Sequence, residues 1–250
     1  MNVLELLKMV RDGEIAPEEA EKQLRIQPFV DLGYAKADTH RLIRQGATEV
    51  IYGAGKTPEQ AAGIARALIG GGAGCVLVTR CDNDMFQTLG KEFEKCSYRE
   101  DARICIIGNP PEPSPNSCVA VVTAGTSDIP VAEEATVTAE ALGSRVERVY
   151  DVGVAGIHRL LSKVDTLSAA RAVVVVAGME GALPSVVGGL VNVPVIAVPT
   201  SVGYGSAFEG LSALLSMMNS CSSNVSVVNI DNGFGGGFIA HNIDSRSSPL

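Results

Sequence analysis

The 250-residue chain contains no tryptophan, and aromatic residues make up only 4% of it. That excludes a surface built to stack nucleobases on aromatic rings. Positive charge is also scarce: 20 Lys and Arg stand against 28 Asp and Glu, for a net charge of −8. A general nucleic-acid binder carries a basic face, so that class is excluded as well. No uncharged apolar run reaches the length of a transmembrane helix. Met1 to Lys8 interleaves acid and base without a cleavage pattern, so no secretory signal is expected. No CxxC pair occurs among Cys75, Cys81, Cys96, Cys105, Cys118 and Cys221. A chain this long does not need disulfide staples, and the expectation is a cytoplasmic protein with reduced thiols.

Charge is scarce unevenly. Residues 1–120 hold 14 Lys/Arg and 17 Asp/Glu, whereas residues 121–250 hold 6 and 11. The second half is rich in Gly, Ala, Val and Ser. Either it is a deeply covered sheet, or other subunits bury its outer faces. With 46% hydrophobic residues the chain has ample material for a core and is not disordered. Its length fits one large α/β domain, or a domain of about 130–150 residues plus an appendage.

The Pro-dense, non-periodic stretch Asn109–Asn116 is the clearest linker. It divides an N-terminal α/β region over 1–116 from a second domain over 117–250. In the first region, helical spacing over 3–11 and 17–25 predicts a hairpin, with Pro17 suited to a first turn. A polar stretch, Asp31–Gln45, follows. Strands are expected at 49–52, 76–79 and 104–107, and helices at 58–68 and 83–97. Beyond the linker, short apolar runs at 119–123, 145–152, 172–177, 194–198 and 225–229 alternate with helical segments at 129–142, 156–170, from Pro184, and at 207–220. This pattern predicts a doubly wound parallel α/β sheet. Such sheets bind ligands outside the carboxyl ends of their strands, so the loops after 123, 152, 177, 198 and 229 are the ones to read for chemistry. The tail Ser245–Leu250 carries no motif.

Gly55-Lys56-Thr57 imitates a P-loop, but that motif needs a glycine where Val50 stands. Lys56 remains a candidate point charge for a phosphate. Gly125-Thr126-Ser127-Asp128 ends a strand and opens a helix. It is either an anion site of hydroxyls and free N–H groups or an ordinary N-cap. His158-Arg159 follows another strand end, where histidine is an acid–base candidate. Glu180, in the Gly-rich run Ala177–Pro184, reads as a metal ligand, a general base or a helix N-terminal charge. The run Pro199–Phe208, with Ser201, Gly205 and Ser206, either lets backbone approach a ligand closely or is a flexible connection. Cys221 lies at a helix C-terminus, where the dipole raises a thiol pKa. Its surroundings are polar, however, and no apolar periodicity calls for a sulfur there.

These loops resemble those of the aminoimidazole ribonucleotide carboxylases of purine biosynthesis. Gly125-Thr126-Ser127-Asp128 is similar to that family's phosphate-binding Gly-Ser-x-Ser-Asp. Ala155-Gly156-Ile157-His158-Arg159 resembles its Ser-Ala-His-Arg loop, with Leu160-Leu161 in place of Thr-Pro. Ala177–Pro184 resembles its CO2-pocket loop, with Glu180 and without the histidine. Over about residues 30–240 the chain resembles more closely the LarB-type pyridinium-3,5-biscarboxylic acid mononucleotide synthases of nickel-pincer cofactor synthesis. The segments that carry this are Asp38-x-His40-Arg41-x-x-Arg44-x-Gly46, Gly55-Lys56-Thr57-Pro58, and Pro199–Asn232 with Asn219-Ser220-Cys221 and the run Val228–Gly235.

The resemblance implies a carboxylase and hydrolase. Nicotinic acid adenine dinucleotide, CO2 and water would give the C5-carboxylated mononucleotide and AMP through a cysteinyl adduct. It implies Cys221 as nucleophile, with His158 and Glu180 competing for the proton-transfer role. Gly125, Thr126, Ser127 and Asp128 would position phosphate or ribose, and Arg145 and Arg159 would pair with carboxylates. Lys56, Gly178, Ser201, Gly205 and Ser206 complete the expected substrate-binding set. It further implies Mg2+ on the substrate phosphates with unidentified protein ligands, no organic prosthetic group, and a homo-oligomer, an octamer around the second-half domains. An aminoimidazole ribonucleotide carboxylase or mutase, and a pyridine-nucleotide sensor without turnover, stand as alternatives. A helix C-terminus belongs at the opposite edge of the sheet from the strand carboxyl ends. Cys221 is therefore expected to serve the site of a neighbouring subunit.

Overall fold

The computed structural model describes residues 3–25 and 29–246. Met1 and the last four residues of the tail lie outside them. The chain forms two compact units. The first runs to Tyr98 and includes Cys105–Asn109; the second takes Arg99–Ile104 and the chain from Pro110 on.

The first unit opens with the expected helical pair, α1 (Val3–Arg11) and α2 (Pro17–Arg25). The polar stretch is not featureless. It forms a two-stranded antiparallel ribbon, β1 (Val30–Asp31) with β2 (Lys36–Ala37), and the short helix α3 (Arg41–Gln45). Asp38 organises it by accepting from the His40 N–H and from Arg41 and Arg44, while Glu49 accepts from the Asp38 N–H. Next come β3 (Ile51–Tyr52), α4 (Pro58–Gly70), β4 (Cys75–Thr79), α5 (Asn83–Glu92), β5 (Cys96–Arg99) and β6 (Ile104–Gly108). Thr57 and Gln60 cap α4 reciprocally, with Pro58 in its first turn. The four strands lie in the order β3-β4-β6-β5, with β3 parallel and β6 antiparallel to β4. The helix expected through residue 97 stops at Glu92. Phe93 turns extended, and Cys96–Arg99 alternates half-buried and exposed side chains as an edge strand does.

Residues 109–118 carry no regular helix or strand. The second unit then winds a five-stranded, all-parallel sheet in the order β8-β7-β9-β10-β11. Its strands are β7 (Val119–Thr123), β8 (Val146–Val149), β9 (Ala172–Ala177), β10 (Val195–Pro199) and β11 (Val225–Val227). The three central strands are buried along their whole length, which is why they read as unbroken Val/Ala/Ile runs. One face carries α6 (Ile129–Leu142) and α11 (Gly233–Arg246) over Val121, Val174, Val176, Ile196 and Val198. The other face carries shorter helices over Val122, Val175, Leu183, Val187 and Met217. These are α7 (Ile157–Leu161), α8 (Val164–Ser168), α9 (Leu183–Leu190) and α10 (Leu211–Met218). The segment 156–170 is thus two short helices, and the expected strand 145–152 contracts to four residues.

The helix α11 is not expected from the sequence. Glycines at 233, 235, 236 and 237 lower helix propensity and conceal α11. Packing explains two of them. A Cβ at Gly233 would lie 2.1 Å from the Val131 carbonyl oxygen, and one at Gly237 would lie 2.1 Å from that of Ala135. Glycines four apart therefore let α11 rest directly on the backbone of α6.

At the amino ends of the strands Asp244, on α11, is 3% exposed. It accepts from Ser117, from the Cys118 N–H at 3.1 Å and from Ser144 at 2.7 Å. The Ser144 hydroxyl, committed to Asp244, is left to accept from His241 Nδ1 at 3.0 Å. Burial holds the His241 pKa below its ordinary value, against the pull of Asp244. The unfolded chain therefore binds this proton more readily. Stability from His241 is full above about pH 6.5 and declines as pH falls through the window below it. Denaturant unfolding between about pH 7 and pH 5.5 should show this decline, and a flat profile would contradict it. His241→Gln should flatten the slope.

Candidate active site

Strand order places β7 and β9 side by side, while their following connections cross to opposite faces. This is the switch point at which doubly wound sheets open a crevice. The second unit has a cavity of about 330 Å3 here, lined by Gly125, Ser127 and Asp128 after β7, Asp151 and Arg159 after β8, Gly178, Met179 and Glu180 after β9, and Val202 after β10.

Asp128 holds these loops together. It is 4% exposed. Its Oδ2 accepts from the Gly125 N–H at 3.0 Å, and its Oδ1 accepts from Thr200 Oγ1 at 2.7 Å. The Gly178 N–H also donates to it. One carboxylate thus ties together the loops after β7, β9 and β10. Burial pushes its pKa up and nearby Asp231 adds to this, while the three hydrogen bonds pull it down. Asp128 makes no N-cap bond to α6; its carboxylate reaches back instead to the N–H of Gly125, which opens the turn before that helix. Ser127, next to it, is exposed in the cavity wall and free of that task. Thr126 is exposed but not in the lining.

Gly178 is required by its neighbours, since a Cβ there would lie 2.3 Å from the Val202 carbonyl oxygen and 2.6 Å from Thr200 Oγ1. Met179 donates its N–H to that same Val202 carbonyl at 2.8 Å. Asp151 and Met179 have φ of +57° and +52°. Left-handed backbone at two non-glycine residues on one rim is strain that the surrounding loops sustain. It turns the chain so that Glu180 is exposed at the cavity.

Arg159 projects from α7, with Nη1 2.6 Å from Asp151 Oδ2. The pair holds a cationic donor at the wall, suited to a carboxylate or phosphate. Asp151 carries little signal in the sequence: it follows a charged edge strand, Val-Glu-Arg-Val, and its one hint is that Asp tolerates left-handed backbone.

The structure thus brings together Gly125, Ser127, Asp128, Arg159, Gly178 and Glu180. It does not bring in every candidate. His158 is exposed on α7 beside Arg159 but is not in the lining. Arg145 precedes β8 at the amino end of the sheet, where its carbonyl accepts from the Val119 N–H, so it has no route to this cavity within one chain. Ser201 donates its N–H to Asp231, and Gly205 and Ser206 lie in a kinked 3-10 segment; none of the three lines the cavity. Lys56 belongs to the first unit, in the turn before α4.

Cys221 is exposed and outside the lining. The chain leaves α10 and runs along α9, where Ser185 Oγ donates to Ser220 Oγ at 2.8 Å and Ser222 Oγ donates to the Ser185 carbonyl at 2.9 Å. Ser185 is two residues from Leu183, which lines the cavity. On a helix that is about 3 Å of rise. Leu211, Leu215 and Met218 are exposed on α10. Tyr204 (82% exposed) and Phe208 (70%) stand out from the loop before it.

Residues 29–109 match the family model described as LarB/PurE-like N-terminal domain, and residues 118–249 match the one described as AIR carboxylase. A protein of Methanocaldococcus jannaschii, described only as uncharacterized, is 39% identical over 250 residues, covering 96% of this chain and 95% of the relative.

Proposed function

Because this chain belongs to the AIR carboxylase family and has the LarB-type architecture, with a LarB/PurE-like domain before the carboxylase domain, we propose that it carboxylates the pyridinium ring of nicotinic acid adenine dinucleotide and hydrolyses the phosphoanhydride, giving pyridinium-3,5-biscarboxylic acid mononucleotide and AMP for nickel-pincer cofactor synthesis. The observation that carries the reading is the convergence of Ser127, Arg159 and Glu180 on one cavity at the switch point. Those residues offer a hydroxyl, a cation and a carboxylate, the partners that a phosphorylated, carboxylated ring undergoing proton transfer requires.

The pyridinium ring is electron-poor, so C5 does not attack CO2 unaided. Addition of the Cys221 thiolate at C4 breaks aromaticity and makes C5 enamine-like. C5 then bonds to the carbon of CO2, whose C=O electron pair moves to oxygen as carboxylate. Glu180 takes the C5 proton, the C4–S bond breaks, and aromaticity returns with the thiolate free again. Of the two proton-transfer candidates, Glu180 is preferred because it faces the cavity. Arg159, steadied by Asp151, would hold a carboxylate or phosphate, and Ser127 a phosphate oxygen. Water then cleaves the phosphoanhydride to release AMP.

Among the described residues no group of three or more His, Cys, Asp or Glu could hold a metal ion. Mg2+ would be carried on the substrate phosphates, and none of the residue roles above depends on it. Cys221 would reach the cavity of a second copy, seated on the apolar surface around Tyr204, Phe208 and Met218, in a homo-oligomer built around the second unit. Incubation with the dinucleotide, bicarbonate and Mg2+ followed by mass measurement tests the reading. Expected are a mononucleotide heavier by CO2 and free AMP. Unchanged dinucleotide would overturn it, and carboxylation of aminoimidazole ribonucleotide instead would favour the purine reaction.

A further inference from the structure

The loop that bears Cys221 is fastened to one helix along its whole course. Ser220 accepts from Ser185 Oγ at 2.8 Å and in turn accepts from the Ser222 N–H at 3.2 Å. Ser222 Oγ donates to the Ser185 carbonyl at 2.9 Å. One turn further on, Gly188 has no Cβ because one would lie 2.9 Å from Ser222 Cβ and 3.0 Å from Asn224 Oδ1. At the end of α9, Asn224 Nδ2 donates to the carbonyls of Val191 and Val193 at 3.2 and 3.0 Å. Of the three residues Ser220, Cys221 and Ser222, the two serines turn inward, half-buried, and the thiol alone is left exposed. The same helix begins at the cavity wall with Leu183, three residues after Glu180.

From this geometry we infer that Ser185 is a positioning residue. It clamps Ser220 and Ser222 from either side of Cys221 and so holds the thiol in a fixed relation to the Glu180 loop, which enters the same end of α9. The clamp does not touch substrate; it acts through Cys221. It rests on the proposed role of Cys221 as nucleophile. In a symmetric assembly it would make the thiol that one copy offers and the carboxylate that it keeps a single rigid unit, so the spacing between sites is set by α9 rather than by a mobile loop.

Ser185→Ala removes the hydroxyl bond and leaves the helix backbone in place. Expected are a fall in kcat of about tenfold at unchanged KM and unchanged melting temperature, and amide hydrogen exchange about tenfold faster over residues 219–224. Ser185→Thr, which keeps the hydroxyl, should restore both. Ser222→Ala opens the clamp from the other side and serves if Ser185→Ala does not fold. Wild-type kcat and exchange in both alanine variants would overturn the proposal, as would a loss of melting temperature alone. Failure of the nucleophile reading is distinguishable, because Cys221→Ala would then turn over normally while the exchange measurement still decides whether Ser185 holds the loop.

Discussion

Cys221→Ala is expected to abolish the carboxylated product, with turnover down by at least about a thousandfold, while the dinucleotide still binds. Other groups in the cavity can orient the substrate or move a proton. None of them can donate an electron pair to C4 and later leave with it. Serine at 221 should be nearly as poor, because an alkoxide forms far less readily than a thiolate near neutral pH. Mixing subunits gives the sharper form of the experiment. Because Cys221 lies outside the lining of its own cavity, a Cys221→Ala chain retains an intact Ser127 wall, and a Ser127→Ala chain retains an intact thiol. If neighbours share sites, mixed assemblies regain turnover that neither variant shows alone. Mixed assemblies that stay inactive would count against shared sites and would require the thiol to reach its own cavity past Leu183.

Glu180→Gln comes second in expected size. Loss of a positioned general base lowers turnover by about 10²- to 10⁴-fold. Glutamine keeps the size and some hydrogen bonding, so KM should hold. His158→Asn, by contrast, should leave kcat within about threefold of the native value, because His158 faces solvent rather than the cavity. The two variants measured side by side decide between the candidates. A large loss on removing His158 with little on removing Glu180 would reverse the assignment and strengthen the likeness to the purine enzymes, whose loop uses His-Arg.

Much of the second unit is legible in the sequence because its physics is local. Short apolar runs at 119–123, 172–177 and 194–198, bounded by turn residues, read as strands covered on both faces, and a parallel order places their following loops at one edge. The likeness to known loops identified Gly125–Asp128 and the stretch around Glu180. What stayed hidden depends on contacts distant in sequence. Whether Asp128 faces a ligand or its own turn is decided by Thr200, 72 residues away. Asp151 matters through Arg159 and through a backbone angle that composition does not reveal. Ser185 is one serine among many until Ser220 and Ser222 are placed against it. Helix α11 was missed because its glycines serve α6, a requirement that no window on residues 233–246 contains.

That glycine seam fixes how closely two helices of the second unit approach. Along α6 and α11, two 14-residue helices meet backbone to backbone at Gly233 and Gly237, so a larger residue at either position has to push the helices apart. Arg159, Glu180 and Cys221 belong to the connections on the opposite face of the sheet, so a residue larger than glycine at 233 or 237 would strain the α6–α11 packing without entering the cavity.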